Sequence, residues 1–166
     1  MARPIILAAL ALLLFPATGA YPASPPEAVK VCHGYSVGAA SAEERIAACN
    51  SAIDAGELSD YDKARAYDSR ARLHRDRQDF EAAIADFSSA IELKPDSDDY
   101  YYQRAATYKA MGRREAAIAD YGKVVELDDG DFLARDALSA LGVTPPPAKP
   151  FQSDDFQSGR ACYFGW

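Results

Sequence analysis

The chain has 166 residues, 18 Lys and Arg against 25 Asp and Glu, a formal net charge of −7 and two histidines. That is one domain's worth of sequence, enough for a single core. The acidic balance and the lack of Lys/Arg clusters argue against nucleic acid, whose phosphates need a positive field, and against docking on anionic membrane surfaces.

Met1-Ala2-Arg3 carries one positive charge, Ile5 to Phe15 is apolar, and Pro16-Ala17-Thr18-Gly19-Ala20 supplies small residues. This order is that of a secretory signal peptide, with cleavage expected after Ala20. The apolar stretch of eleven residues falls short of the roughly 17–25 that span a bilayer, so no stable membrane insertion is expected after cleavage. The mature chain of 146 residues would carry a net charge of −8 and be periplasmic or secreted. Export lets disulfides form. Cys32 and Cys49 flank the first helical region and are the expected pair, a closure that could stabilise the fold by about 3 kcal/mol. Three free thiols are the alternative. Cys162 is left over, free or joined to another molecule.

From Ala20 to Ser41 the pattern is irregular, with Pro22, Pro25 and Pro26, a short helix-compatible stretch, and then Gly34 and Gly38. Ser41-Ala42-Glu43-Glu44 is a capping box opening a helix from Ala42 to about Ala55, stopped by Gly56. Ser59 to Asp62 repeats the capping logic for a helix to about Arg77. Phe80 to Leu93 follows, closed by Pro95. Asp98 to Met111 ends at Gly112, where a left-handed cap costs little. Arg114 to Leu127 stops at Asp128-Asp129-Gly130, and Phe132 to Leu141 precedes Gly142. Pro145-Pro146-Pro147 reads as a stiff linker and Phe151 to Trp166 as a tail without periodicity.

Glu81-Ala82-Ala83-Ile84-Ala85-Asp86-Phe87 returns as Glu115-Ala116-Ala117-Ile118-Ala119-Asp120-Tyr121, 34 residues later. Tyr67, Arg70 and Ala71 return as Tyr101, Arg104 and Ala105 in the same frame. Such a period marks stacked helical hairpins. Ala71, Ala83, Ala105 and Ala117 fall where helices approach closely. Tyr67, Phe80, Phe87, Ile91, Tyr101, Tyr108, Tyr121 and Val125 lie between them at helical spacing.

On these residues, with Ala90, Pro95 and Gly112, the chain resembles a tetratricopeptide-repeat protein over 64–131. Ile46 to Ile53 is a fainter copy of Ile84 to Ile91, with Cys49 where the family carries an aromatic. The segment around Ile46-Ala47-Ala48-Cys49 is similar to small exported repeat proteins of alphaproteobacterial type. The resemblance implies an all-α, right-handed superhelical array of antiparallel hairpins. A signal peptide would occupy 1–20, a degenerate half-repeat 21–63, and repeats 64–97 and 98–131. A capping helix over 132–142 and a linker with tail over 143–166 would complete the chain. Gln78 in place of the family's turn Gly suggests a looser first turn, and Asp129 in place of its Pro an atypical exit from the second repeat.

No enzyme chemistry is expected. His33 and His74 are far apart and in no nucleophile or metal spacing. Asp128-Asp129-Gly130-Asp131 lacks the other ligands of a calcium loop and reads as loop solvation with an N-cap. Asp86 and Asp120, one per repeat, read as solvated faces. No cofactor is implied.

In the resembled family, ligands lie along the first helix of each hairpin. That selects Arg65, Asp68, Ser69, Arg72, Arg75 and Asp76, then Asp99, Tyr102, Gln103, Ala106 and Lys109. Arg65, Arg72 and Arg75 share one helix face and suit carboxylate-bearing peptides. The bland alternative is a solvated face with Asp68 and Asp76 neutralising the arginines. Asp68 and Arg72 replace the Lys and Asn of the family's clamp for chaperone C-termini, which disfavours that partner class. The expected function is therefore an exported interaction module for an unidentified protein or peptide. The alternatives are a structural homo-oligomer linked through Cys162 and, last, an enzyme's accessory domain. The tail's Phe151, Phe156, Tyr163, Phe164 and Trp166 could dock in the chain's own groove.

Overall fold

The computed structural model describes residues 25–34 and 40–147, with the backbone alone for 25–27. Residues 1–20, where a signal peptide is expected, Cys162 and the segment 151–166 lie outside the described residues. Among the described residues seven helices follow one another: α1 (Pro25–Cys32), α2 (Ala42–Asp54), α3 (Asp60–Asp76), α4 (Phe80–Leu93), α5 (Asp98–Ala110), α6 (Arg114–Leu127) and α7 (Phe132–Ala140). The irregular stretch before Ser41 thus includes a helix that packs on α2 and completes a first hairpin.

Local chemistry sets the boundaries. Ser41 accepts from the Glu44 amide while Glu44 accepts from the Ser41 amide, satisfying two orphan donors of α2. Ser59 caps α3 and Asp131 caps α7 in the same way, through the Asp62 and Ala134 amides.

The expected looser turn after α3 is not found. Gln78 adopts φ 65° against 72° for Gly112. The Asp79 amide donates to the His74 carbonyl at 2.9 Å, as Arg113 does to Tyr108 at 2.9 Å. Gln78 therefore takes the left-handed conformation that glycine supplies without steric cost. The exit from α6 is likewise ordinary. Asp131 donates to the Asp128 carbonyl at 3.2 Å, the counterpart of Ser97 to Lys94 at 3.3 Å.

Helices pack chiefly on their neighbours in sequence, so the core is a row of clusters along the array. Cys32, Cys49, Ile53 and Ala66 join α1, α2 and α3. Ala71, Ala83 and Phe87 lock α3 to α4, and Ala64, Ala90, Ile91 and Tyr100 carry the row to α5. Tyr121, Val124, Val125, Ala134 and Leu138 continue it into α7. Ala71, Ala83, Ala105 and Ala117 are fully buried, because only a methyl fits where two helix axes converge. Cys32 Sγ and Cys49 Sγ lie 2.15 Å apart, both buried, at the place where later hairpins carry Phe87 and Tyr121. On α7, Ala134, Ala137 and Leu138 are buried while Phe132 and Leu133 remain exposed.

The repeated acids are not solvated, contrary to expectation. Asp86 and Asp120 are only 6% and 7% exposed. Arg70 grips Asp86 with Nε at 2.8 Å and Nη2 at 2.6 Å, and its Nη1 reaches Asn50 Oδ1 at 2.6 Å. Arg104 repeats this on Asp120 at 2.8 and 2.9 Å, with Nη1 on Ser88 Oγ at 2.9 Å. Each arginine thereby clamps the two helices of its own hairpin through a bidentate, charge-assisted contact and reaches the preceding hairpin through Nη1 alone. Its guanidinium also lies over Tyr67 or Tyr101, 5.4 and 5.8 Å from the ring centres. One period further on stand Gly122 and Leu138 in place of Ser88 and Arg104. The polar ladder ends there, and α7 closes the array with an apolar contact instead.

Candidate functional site

The first helices of the middle hairpins, α3 and α5, face each other through long polar side chains. Arg72 donates Nε to Asp68 at 2.9 Å and Nη2 to Asp99 at 2.7 Å. Gln103 Nε2 donates to the other Asp99 oxygen at 3.1 Å, and Arg75 Nη1 donates to Gln103 Oε1 at 2.7 Å. Five side chains from two repeats therefore form one network, which sequence spacing suggested only helix by helix.

Its electrostatics differ from those of the ladder. Burial pushes the Asp68 carboxyl above its ordinary value, outweighing Arg72, which pulls it down. Burial also opposes the Arg72 charge, but Asp68 and Asp99 together hold the guanidinium above its usual range. In the ladder, hydrogen bonding to Asp86 and Asp120 is the leading influence on Arg70 and Arg104 and raises both. Tyr100, buried beneath the network, is pushed up to about 12 by burial and then by Asp68 and Asp99.

The remaining expected residues divide. Arg65 lies on the same face of α3, its guanidinium 5.7 Å from the centre of the exposed Tyr61 ring. Tyr102 is turned toward α6, its ring 5.4 Å from Tyr121 at 69°, so packing uses part of the aromatic surface assigned to ligand contact. Lys109 stands exposed in the last turn of α5, beyond the network. His74 is half-buried with Nδ1 3.4 Å from Asp79 Oδ2. In the acidic loop, Asp128 accepts from the Gly130 amide at 2.9 Å and Asp131 caps α7. Among the described residues no group of three metal-ligating side chains converges.

A polar cavity of about 340 Å³ opens beside the network, between the end of α1, the first turns of α2, and α3. His33, Arg45, Arg65, Asp68, Ser69, Arg72, Leu73 and Asp76 line it. His33 and Arg45 were not among the expected site residues. Arg45 belongs to a second helix of a hairpin, and His33 follows a helix the sequence left open. Arg45 is anchored by Nη2 on the Cys32 carbonyl at 3.3 Å.

Comparison with known proteins bears on this geometry. Residues 71–112 match a "TPR repeat" family model and residues 98–131 a "Tetratricopeptide repeat" model. Among curated proteins, none matches the chain in sequence. The solved structure "First TPR of Spaghetti (RPAP3) bound to HSP90 peptide SRMEEVD" is similar at 25% identity and TM-score 0.55, covering 61% of this chain and 77% of that one. "Crystal structure of MamA" aligns at 21% identity and TM-score 0.61, over 74% of this chain and 68% of that one. "NMR structure of the first TPR domain of the human RPAP3 protein" aligns at 23% and TM-score 0.58, over 72% and 92%. The chain carries tetratricopeptide repeats, and its fold is an all-α superhelical array built from them.

Proposed function

We propose that the chain is an exported protein-interaction module that holds an extended peptide or a helix along the α3–α5 face. The observation that carries this reading is the sorting of residues by repeat. Among those common to both copies, Tyr67, Arg70, Ala71, Ala83 and Asp86, with their counterparts, are spent on packing and on the buried ladder. Those that differ, Asp68 against Tyr102, Arg72 against Ala106 and Arg75 against Lys109, fall on the α3–α5 side or its edge. Repeat arrays that bind through a concave surface vary that surface and keep the scaffold. A similar repeat domain is described with a bound acidic peptide, which is in keeping with an arginine-bearing face. Export rests on the segment 1–20, and the Cys32–Cys49 disulfide suits an oxidising compartment.

A photo-crosslinker at position 61, which is exposed beside Arg65 on the same face, placed in the full chain in its own compartment, tests the reading. A discrete adduct absent from wild type and lost when the crosslinker sits at Glu92 on α4 is the expected result. No adduct above the wild-type control would count against an interaction module. The rival homo-oligomer through Cys162 predicts a dimer band on non-reducing gels that disappears on reduction.

A further inference from the structure

We infer that the first turn of α7 is a docking surface for the chain's own C-terminal segment. Phe151 seats on Phe132 and Leu133, and Lys149 faces the acidic turn before them. The inference goes beyond the peptide reading. It takes the tail away from the α3–α5 face, which stays open to a partner.

Phe132 and Leu133 are 73% and 50% exposed, although α7 closes the array and buries Ala134, Ala137 and Leu138. Two adjacent large apolar side chains left in water favour a cover.

The course of the chain after α7 points to the occupant. Arg114 donates Nη2 to the Leu141 carbonyl, and the Val143 amide donates to the Leu138 carbonyl at 2.9 Å. The Val143 side chain packs on the cluster that joins α5, α6 and α7. Arg135 then donates Nη2 to the Pro146 carbonyl. Val143 is thus tied to position 138 and Pro146 to position 135, so the chain runs back along α7 toward its first turn. Arg135 also donates Nη1 to the Asp129 carbonyl at 3.5 Å. Its guanidinium therefore holds Pro146 beside the turn that precedes Phe132. Positions 132 and 135 are neighbours on one side of the helix, and the rise between them is about 4.5 Å. Phe151 follows Pro146 by five residues, about 16 Å of extended chain. The reach is ample.

Charge agrees with reach. Between positions 128 and 136 stand Asp128, Asp129, Asp131 and Asp136 against Arg135. Beyond Pro147, the first charged residue is Lys149 and the first large apolar one is Phe151. Residues two apart on an extended chain face one side, so this pair can meet the acids and the apolar surface together.

The test places a photo-crosslinking phenylalanine analogue at position 151 of the purified full chain, in an equal mixture of nitrogen-14 and nitrogen-15 chains. The expected adduct joins position 151 to the first turn of α7 within chains of one isotope, at a yield independent of concentration. Phe132→Ser, at an exposed position on which the fold does not depend, should lower that yield several-fold. Lys149→Glu should lower it as well, most at low salt, where exposed charges are least screened. Mixed-isotope adducts would assign the surface to a second copy, and an adduct on α3 or α5 would put the tail on the peptide face. Either result overturns the inference, as does a yield unchanged by either substitution or no adduct at all. Crosslinking from position 61 reads the interaction module separately, so each can fail while the other stands.

Discussion

Arg70 and Arg72 share helix α3 and point to different sides of it, as positions two apart on a helix must. Arg70 is spent on Asp86 and Asn50, and its counterpart Arg104 repeats the arrangement one hairpin later. Arg72 joins Asp68 to Asp99, with its side chain 38% exposed, and the second repeat has only Ala106 in its place. The recurring arginine fixes how hairpins stack. The one that does not recur belongs to a surface that can be read.

Breaking the ladder should have the largest effect. Asp120→Ala leaves Arg104 half-buried with Ser88 as its hydrogen-bond partner and no counter-charge, and should lower stability by about 3 kcal/mol, read as a lower urea midpoint at unchanged slope. A loss under about 1 kcal/mol would reduce the pair to an ordinary surface contact. Replacing Cys49 by Ser opens the Cys32–Cys49 loop and should also cost about 3 kcal/mol. In that variant, amide exchange should rise first in α1, because at eight residues it is the shortest helix described and is held by α2 rather than by its own length. Uniform exchange across all helices would contradict the row of separate clusters.

The turn after α3 gives a gain. Gln78→Gly releases a left-handed non-glycine residue and should stabilise by about 1 kcal/mol. Its mirror, Gly112→Gln, should cost a similar amount, about 1 kcal/mol. If both changes lowered the melting temperature, the equivalence of the two turns would be wrong.

The smallest effect concerns pH. His33 in the folded chain binds its proton less readily than in the unfolded one. The folded state therefore gives up stability as pH falls below the ordinary value of 6.5, and the loss levels off below the depressed folded value. Arg65, Arg45, Asp62 and nearby Asp68 and Asp76 surround the ring, so His33→Gln should flatten the profile below pH 6.5. An unchanged slope would remove His33 from the account.

Much of this was legible in advance. Helices α2 to α7 are bounded by Ser41, Ser59, Pro95, Gly112 and Gly142, and capping and chain-breaking are local effects, readable without the fold. The buried alanines followed from periodicity. Asp86 and Asp120 were misread because an acid in a helix is usually solvated. The missed signal was that Arg70 and Arg104 recur in the same frame. An acid and a base that both repeat form a buried pair between helices, which single-helix reasoning does not see. Arg45 escaped because recognition was assigned to first helices alone. The cavity depends on how α1 closes over α2, a tertiary fact with no local signature.

The claim that the recurring arginine is scaffold and the other is recognition is tested most directly by two substitutions measured together, Arg70→Gln and Arg72→Gln, in urea unfolding and in crosslinking from position 61. Arg70→Gln should lose about 3 kcal/mol. Arg72→Gln should stay within about 1 kcal/mol of wild type while the adduct from position 61 falls several-fold. Equal losses of stability, or an adduct untouched by Arg72→Gln, would contradict the account.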